Sequence, residues 1–283
     1  MTELVDYQYL NILHDIYYNG VDCKDRTDVG MSRQLFKAEI VFDTKDKYIP
    51  FIQTRKFGPK TSFLEWIWMM NGMTDSKWLE ERGVAIWKGN TTRDFLDSRG
   101  LYGLPEGDIG KSYGYQLRNF GGVDQLKKVY ERLQTNSRRG VVSLWNPAEL
   151  DEAPLEPCAY DYCFTRIGNT LNLRQTMRSA DVLYGVPYNM GFATYWLFAF
   201  ARALGLEAGQ YWLTMDNAHI YANQLGDVGK MLSNGVNKDL KTPQLKINKK
   251  LNSLEDILEL DYSYLEIKDW VRGADIGSAK MAT

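Results

Sequence analysis

Residues 60–71, KTSFLEWIWMMN, are aromatic or aliphatic on almost every side and stop at Asn71-Gly72. Such a segment reads as a helix that is apolar all round, and a helix of that kind has to be buried. Glu65 sits in its middle. A carboxylate is costly in a core unless it is paired or hydrogen-bonded, so a polar network or a functional cavity must receive it.

The chain around that helix has 283 residues, 44% hydrophobic and 25% charged, enough for one large domain with a substantial core and no second domain. A net charge of −2 gives no polyanion-binding surface, so nucleic acid is excluded as a partner and any phosphate site must be local. Three cysteines cannot all pair, and the N-terminus lacks the pattern of a signal peptide, which points to a reducing cytoplasm. The apolar stretches 63–70 and 195–204 contain Glu65 and Arg202 and fall short of the roughly 20 residues that span a bilayer. A soluble protein is expected.

Periodicity places helices over Asp6–Tyr18, Ser76–Arg82, Val123–Gln134, Met190–Leu204 and Ser253–Leu260, the last with a Ser253/Asp256 capping pattern. Alternation places strands over Gln34–Phe42, Val141–Trp145, Leu171–Gln175 and Gln210–Thr214, and Tyr48–Ile52 is a candidate to continue the sheet. Gly20–Gly30 reads as a polar loop holding Arg26, and Lys88–Arg118 as a long Gly-rich loop. Gly273–Thr283 is a small-residue tail expected to be mobile.

Chemistry concentrates in Leu155–Met190, LEPCAYDYCFTRIGNTLNLRQTMRSADVLYGVPYNM. Cys158 follows a proline that cannot donate to a sheet ladder, so its thiol belongs where a strand begins, at the edge of a cavity. Cys163 is five residues on, an odd offset that sends the two thiols to opposite faces of a strand, unable to pair or to share a metal. Arg178-Ser179 offers a guanidinium and a hydroxyl to a phosphate, and Gly185–Asn189 turns the backbone and presents an amide. Arg138-Arg139 is a solvated loop pair or a second phosphate grip. A thiol reacts as thiolate, which the Arg178 cation favours if it lies close; the alternative is an inert structural cysteine. His14 lies in an amphipathic helix, whereas His219 is the better functional candidate, as a base or as a partner of a sugar hydroxyl. Metal ligands at recognised spacings, GxGxxG and Walker sequences are absent. The sum is a nucleotide pocket.

The order of motifs resembles the thymidylate synthase family over nearly the entire chain. The resemblance rests on Asp25-Arg26-Thr27, the E-W-I-W helix at Glu65, I-W at Trp87, S-Y-G at Tyr113, S-R-R at Arg138-Arg139, L-W-N at Trp145-Asn146, P-C at Cys158, RSADVLYGVPYN ending at Asn189, and H-I-Y at His219–Tyr221. It implies an α/β fold of α+β type, a mixed sheet layered with helices, one catalytic domain over residues 1–283, and a homodimer formed through sheet packing. It also implies attack of Cys158 on C6 of a pyrimidine nucleotide, which makes C5 a nucleophile toward the one-carbon unit of 5,10-methylenetetrahydrofolate. Arg26, Arg178 and Ser179 would hold the phosphate, joined by Arg138 and Arg139 from the neighbouring subunit. His219 and Tyr221 would bind the deoxyribose, Tyr113 would assist loss of the C5 proton, and Glu65 would organise proton transfer. Asp181, Trp87, Gly185 and Tyr188 would line the folate side, with the C-terminal tail closing over it.

Asn189 bears on base choice. A carboxamide accepts from N3–H and donates to O4 of uracil, whereas cytosine reverses that pattern, so dUMP is expected over dCMP or CMP. The family's synthases commonly carry His after the nucleophile and Gln before Arg-Ser; this chain has Ala159 and Met177, the latter similar to the hydroxymethylase branch, and Asn90 stands where a second Trp is common. The expected product is therefore 5-hydroxymethyl-dUMP, with dTMP and dihydrofolate as the alternative. A Cys/His hydrolase is a further reading. A catalytically silent relative is another; it would be expected to lose the nucleophile or anion site, and Cys158, Arg178, Asp181 and Asn189 are all present.

Overall fold

A computed structural model describes residues 4–277. Helix α1 (Val5–Asn19) buries Tyr9, Leu10, Leu13 and Ile16 at helical spacing. It ends at Gly20, where a side chain would collide with the Ile16 carbonyl at 2.5 Å. The following segment is a hairpin and not a free loop: β1 (Val21–Lys24) pairs with β2 (Met31–Asp43), and Arg33 bonds Asp22 through Nε at 2.7 Å and Nη2 at 2.9 Å.

Next come α2 (Pro59–Met70), α3 (Lys77–Glu80), α4 (Arg93–Ser98), α5 (Tyr113–Asn119), α6 (Gln125–Gln134) and β3 (Gly140–Ser143). The remaining elements are β4 (Ala159–Ile167), β5 (Thr170–Asp181), α7 (Gly185–Ala203), β6 (Glu207–Tyr221), α8 (Leu225–Asn234), β7 (Gln244–Ile247), α9 (Leu254–Leu258) and β8 (Leu265–Lys268). Among the described residues a six-stranded sheet runs β1-β2-β6-β5-β4-β3. Its neighbours are antiparallel except β5 and β6, which are parallel because α7 carries the chain back between them. This is the mixed sheet layered with helices that was expected.

The helices cover one face of that sheet. On β2, Ile40 and Phe42 are buried while Glu39 and Val41 are exposed; on β6, Tyr211 and Leu213 are buried and Trp212 is exposed. Phe36 is 86% exposed, and with Val41, Val141 and Trp212 it leaves several apolar side chains uncovered on the sheet strands. Behind the covered face, α2 crosses α7. Ser62 Oγ donates to the Tyr188 carbonyl at 2.9 Å, and a side chain at Gly191 would come within 2.3 Å of Ser62 Oγ, so the two helices meet at backbone distance there. Trp66 and Trp68 of α2 are fully buried, as its all-apolar composition required, and so is Trp196 of α7.

Several boundaries differ from the sequence reading. Residues 88–118 contain α4, capped by Thr92 Oγ1 accepting from Phe95 N at 3.3 Å, and α5. Tyr48–Ile52 is not a sheet strand; it meets β7 only through an isolated Tyr48–Gln244 bridge. Gly185–Asn189 is no turn but the first turn and a half of α7, which tolerates Pro187 because early helix N–H groups need no intrahelical acceptor. Strand β5 runs on to Asp181, so the Arg-Ser-Ala-Asp run is strand. The part of the tail within the described residues is tied down: Trp270 Nε1 donates to Ile52 O at 3.2 Å, Val271 N to Gln53 Oε1 at 2.7 Å and Lys56 N to Ala274 O at 2.7 Å. The rest of the expected mobile tail, 278–283, lies outside the described residues.

Candidate active site

A cavity of about 780 Å³ opens between α2, the start of α7 and the ends of β4 and β5. Strand alternation supplies one wall, since Met177, Ser179 and Asp181 share a face of β5 and all line it. Strand β4 supplies another through an irregularity between Ala159 and Asp161: Ala159 pairs with Met177 and Tyr162 with Gln175, so both face inward although three residues apart. Cys158 stands just ahead of β4, where the sequence placed it, and its carbonyl accepts from Arg178 N at 2.9 Å. Its own N–H donates to the Tyr113 phenol at 2.9 Å. Cys23, Cys158 and Cys163 are free thiols, and Cys163 pairs with Val141 and Arg174 away from the cavity.

Glu65 reaches the cavity from α2. Burial pushes its carboxyl up to about 7, against the opposing effect of the Trp87 indole, which donates to Oε1 at 3.0 Å. The Glu65 of the sequence puzzle therefore receives both answers, a hydrogen bond and a cavity. Burial also pushes the Cys158 thiol up, outweighing the cations of Arg178 and Arg26 that pull it down. The expected field of Arg178 is present, but it does not ionise the thiol by itself. The Arg178 guanidinium bonds the carbonyls of Pro157 at 2.9 Å and Glu156 at 3.1 Å and lies over Trp145, clamping the chain that delivers the nucleophile.

Asp181 accepts from Tyr184 N through Oδ1 and from Gln224 Nε2 through Oδ2, both at 3.0 Å, and burial raises its carboxyl. Asn189 donates from Nδ2 to Gly185 O at 3.0 Å, which fixes which end of its carboxamide is oxygen. The tautomer of His219 is fixed by a longer chain of bonds. Asp25 can only accept, so Ser32 Oγ donates to it at 3.1 Å; Gln34 Nε2 then donates to Ser32 at 2.9 Å, and Asn217 Nδ2 to Gln34 Oε1 at 2.8 Å. Asn217 Oδ1 is left to accept from His219 Nδ1 at 3.0 Å. Burial lowers the imidazole pKa, so His219 is neutral with Nε2 an acceptor, suited to a hydroxyl and not to a phosphate.

Of the residues singled out in the sequence, Cys158, Glu65, Tyr113, Asn189, Trp87, Ser179, Asp181, Gly185 and Tyr188 share the cavity. Arg26 and Arg178 flank it closely enough to act on Cys158, as does Tyr221, while buried His219 pairs in register with Asp181. Arg138 and Arg139 are exposed and are not brought to it. They precede Gly140, which pairs with Phe164, six residues along β4 from Cys158, or roughly 20 Å of strand. The sequence reading passed over Tyr162, Gln175 and the relay residues Ser32, Gln34 and Asn217. The signal available for Gln175 was a polar residue in register with inward Leu171, Leu173 and Met177. Among the described residues no His/Cys/Asp/Glu group could hold a metal ion, and no helix is long and apolar enough to cross a membrane.

Comparison with known proteins gives the same answer as the cavity. The profile of the family described as thymidylate synthase matches residues 7–283. The thymidylate synthase of Saccharomyces cerevisiae is 30% identical over 93% of this chain and 92% of its own length, and that of equine herpesvirus 2 is 32% identical over 93% and 94%. The bifunctional dihydrofolate reductase-thymidylate synthase of Zea mays is 31% identical over 91% of this chain and 51% of its own, longer one. These relatives are named synthases, so the expectation of a hydroxymethylase finds no support in them. A match running almost end to end, over a fold that gathers thiol, buried carboxyl and carboxamide into one cavity, establishes that the chain belongs to the thymidylate synthase family, enzymes of one-carbon transfer to dUMP that use 5,10-methylenetetrahydrofolate as cosubstrate.

Proposed function

We propose that this chain is a thymidylate synthase in the strict sense, converting dUMP to dTMP with release of dihydrofolate. The observation that carries the reading is the opening of Cys158, Glu65 and Asn189 into one cavity, in a chain whose relatives carry that name. Cys158 adds to C6, and the ring electrons move toward O4, which the Asn189 carboxamide holds together with N3–H. Glu65, poised near neutrality, supplies a proton to that oxygen and recovers it when the thiolate leaves. Bound 5,10-methylenetetrahydrofolate would supply the one-carbon unit to C5 and the hydride that makes it a methyl group, leaving as dihydrofolate, and Tyr113 assists departure of the C5 proton. Arg26, Arg178 and Ser179 take the phosphate, His219 and Tyr221 the sugar. Trp87, Asp181, Gly185 and Tyr188 face the folate, whose flat ring suits the apolar wall of Trp87, Ile86 and Met69.

Arg138 and Arg139 act in the neighbour's site of a homodimer. The reading is supported by their distance from their own Cys158 and by the uncovered Phe36, Val41, Val141 and Trp212, which a second sheet would bury. We take residues 1–283 as one catalytic domain, and the three free thiols fit a cytoplasmic setting.

A second product has one observation in its favour. Ala159 and Met177 pair beside the nucleophile, and buried Asn90 lines the folate side, so the polar groups around the one-carbon intermediate differ from the usual pattern; water capture there would give 5-hydroxymethyl-dUMP. Incubation with dUMP and 5,10-methylenetetrahydrofolate, with the nucleotide weighed by mass spectrometry and dihydrofolate followed by absorbance, separates the two. Methyl product with equal dihydrofolate supports the synthase; hydroxymethyl product without dihydrofolate overturns it.

A further inference from the structure

Tyr162 is 2% exposed, lines the catalytic cavity and has no role in the scheme above. Its hydrogen-bonding is set by Gln175, whose side chain is fully buried beneath the cavity. The polarity of this cluster can be read from one backbone carbonyl. Gly185 O can only accept, so the Asn189 atom 3.0 Å from it is Nδ2 and the other is Oδ1. The Gln175 atom 3.5 Å from Asn189 Oδ1 is then a donor, Nε2, and it also donates to the Tyr162 phenol at 3.2 Å. Gln175 Oε1 is left to accept from Tyr211 Oη at 2.6 Å.

Both amide hydrogens of Gln175 are thereby engaged, and Tyr162 Oη is an acceptor in this bond. Among the described residues the hydroxyl hydrogen of Tyr162 has no acceptor. A buried phenol directs such a hydrogen to whatever polar group enters the cavity, because leaving it unpaired is costly. Across the same end of the cavity Trp87 takes Glu65 Oε1, and Oε2 has no hydrogen bond from the described residues. Tyr113 and Cys158 are the other titratable groups facing Glu65 there. The phenol of Tyr162 senses the Glu65 charge, which places the two groups within electrostatic reach.

We infer that Tyr162 is a positioning residue: its O–H is donated to a water molecule that accepts from Glu65 Oε2 while the carboxyl is protonated and donates to Oε2 once it is ionised, and Gln175 fixes where that water sits. The inference deepens the proposed function by specifying the proton path. As the Cys158–C6 bond forms and a pair of electrons moves onto the pyrimidine oxygen, the water passes one proton to that oxygen and takes the Glu65 proton in its place. Glu65 is left as carboxylate, the water is regenerated, and the thiolate's charge has moved to Glu65. Departure of Cys158 reverses the exchange.

The test is a titration of the Glu65 carboxyl by ¹³C NMR in protein labelled at glutamate, the resonance identified by its loss in Glu65→Gln. In Tyr162→Phe, which keeps the ring, the ionised carboxylate loses a solvating water and its midpoint should rise by about half a pH unit or more. Gln175→Met, which keeps the volume, should move it the same way by releasing the phenol. Turnover of dUMP by Tyr162→Phe should fall about tenfold or more in kcat with KM within about twofold, the alkaline limb of the pH profile moving up with the carboxyl. An unmoved Glu65 midpoint in Tyr162→Phe overturns the inference. The titration needs no turnover, so it decides this point even if the wild-type chain makes no methylated nucleotide, an outcome that would instead defeat the proposed function.

Discussion

The phenolic oxygen of Tyr113 accepts the backbone N–H of Cys158 at 2.9 Å, joining the first residue of α5 to the chain just ahead of β4. Burial holds the Tyr113 phenol well above its ordinary value, with the charge of Cys158 adding to the effect, so this hydroxyl stays protonated and acts by hydrogen bonding. Tyr113→Phe leaves a buried N–H without its acceptor and should cost about 1–3 kcal/mol of stability. Release of tritium from [5-³H]dUMP should slow about tenfold or more while dUMP affinity changes little.

Glu65→Gln tests the raised carboxyl by two routes. A carboxyl whose folded value is about 7 against an ordinary 4.5 contributes stability that is complete below about pH 4.5 and is lost as pH rises through about 7. The glutamine variant lacks this loss. It should therefore gain on the wild type by up to about 3 kcal/mol between pH 4.5 and pH 8, read from denaturant midpoints at the two pH values. Its activity profile should lack an alkaline limb near pH 7, at a kcat lowered about 10²-fold or more.

Asn189→Asp should exchange the base. The substitution replaces the donor facing Gly185 O with a carboxyl oxygen and leaves nothing to donate to uracil O4, while protonated Asp at that position can match the edge of cytosine. The kcat/KM for dUMP should fall about 10²–10³-fold, and competition between dUMP and dCMP should shift toward dCMP. Retention of the dUMP preference would show that the base is read elsewhere.

Arg138→Ala and Cys158→Ala should each be inactive alone and recover activity when refolded together. Random pairing makes half the dimers mixed, and each mixed dimer has one complete site, so about one quarter of wild-type activity is expected. No recovery would place Arg138 outside the site of the neighbouring subunit.

The relay from Asp25 to His219 predicts a neutral imidazole bearing its proton on Nδ1 at pH 7. The chain has only two histidines, so ¹⁵N spectra compared with His14→Gln read His219 directly. Asn217→Leu should release the tautomer and raise KM for dUMP several-fold with less effect on kcat.

Elements with a strong local pattern were legible in the sequence. Helix α6 buries Leu126, Val129, Tyr130 and Leu133, the stripe its spacing marks, and α2 is buried all round. The helices within 88–118 escaped because bonds outside the helices hold the segment: Arg93 of α4 bonds the carbonyls of Leu101 and Leu104 beyond its end, and Lys111, just ahead of α5, bonds Glu149 and Glu152 at 2.9 Å each. Helix α7 begins earlier than expected because Pro187, read as a turn signal, falls where a helix start accepts it. In the site, Glu65 and Cys158 stood out as residue types at odds with their surroundings. Tyr162 and Gln175 did not, since their meeting is a cross-strand pairing counted back from the Ile167–Thr170 turn, and the neighbours of neither residue in the chain mark it. Arg178 was read as a phosphate ligand from its type; that it also clamps the carbonyls of Glu156 and Pro157 follows from the strand pairing that brings residues 156–158 beside it.

The segment 270–277 lines the cavity and is fastened to residues 52–56, so wall and roof come from stretches far apart in the chain. A growing chain is made from its N-terminus at about 5–20 residues per second. On the ribosome, Cys158 and Glu65 can be packed into their layers while the pocket above them still lacks Arg272, Asp275 and Ile276. Competence to enclose a nucleotide and a folate thus arrives only once residues 270–277 have emerged, well after the thiol itself, and a product truncated before residue 270 would carry the reactive thiol without its cover.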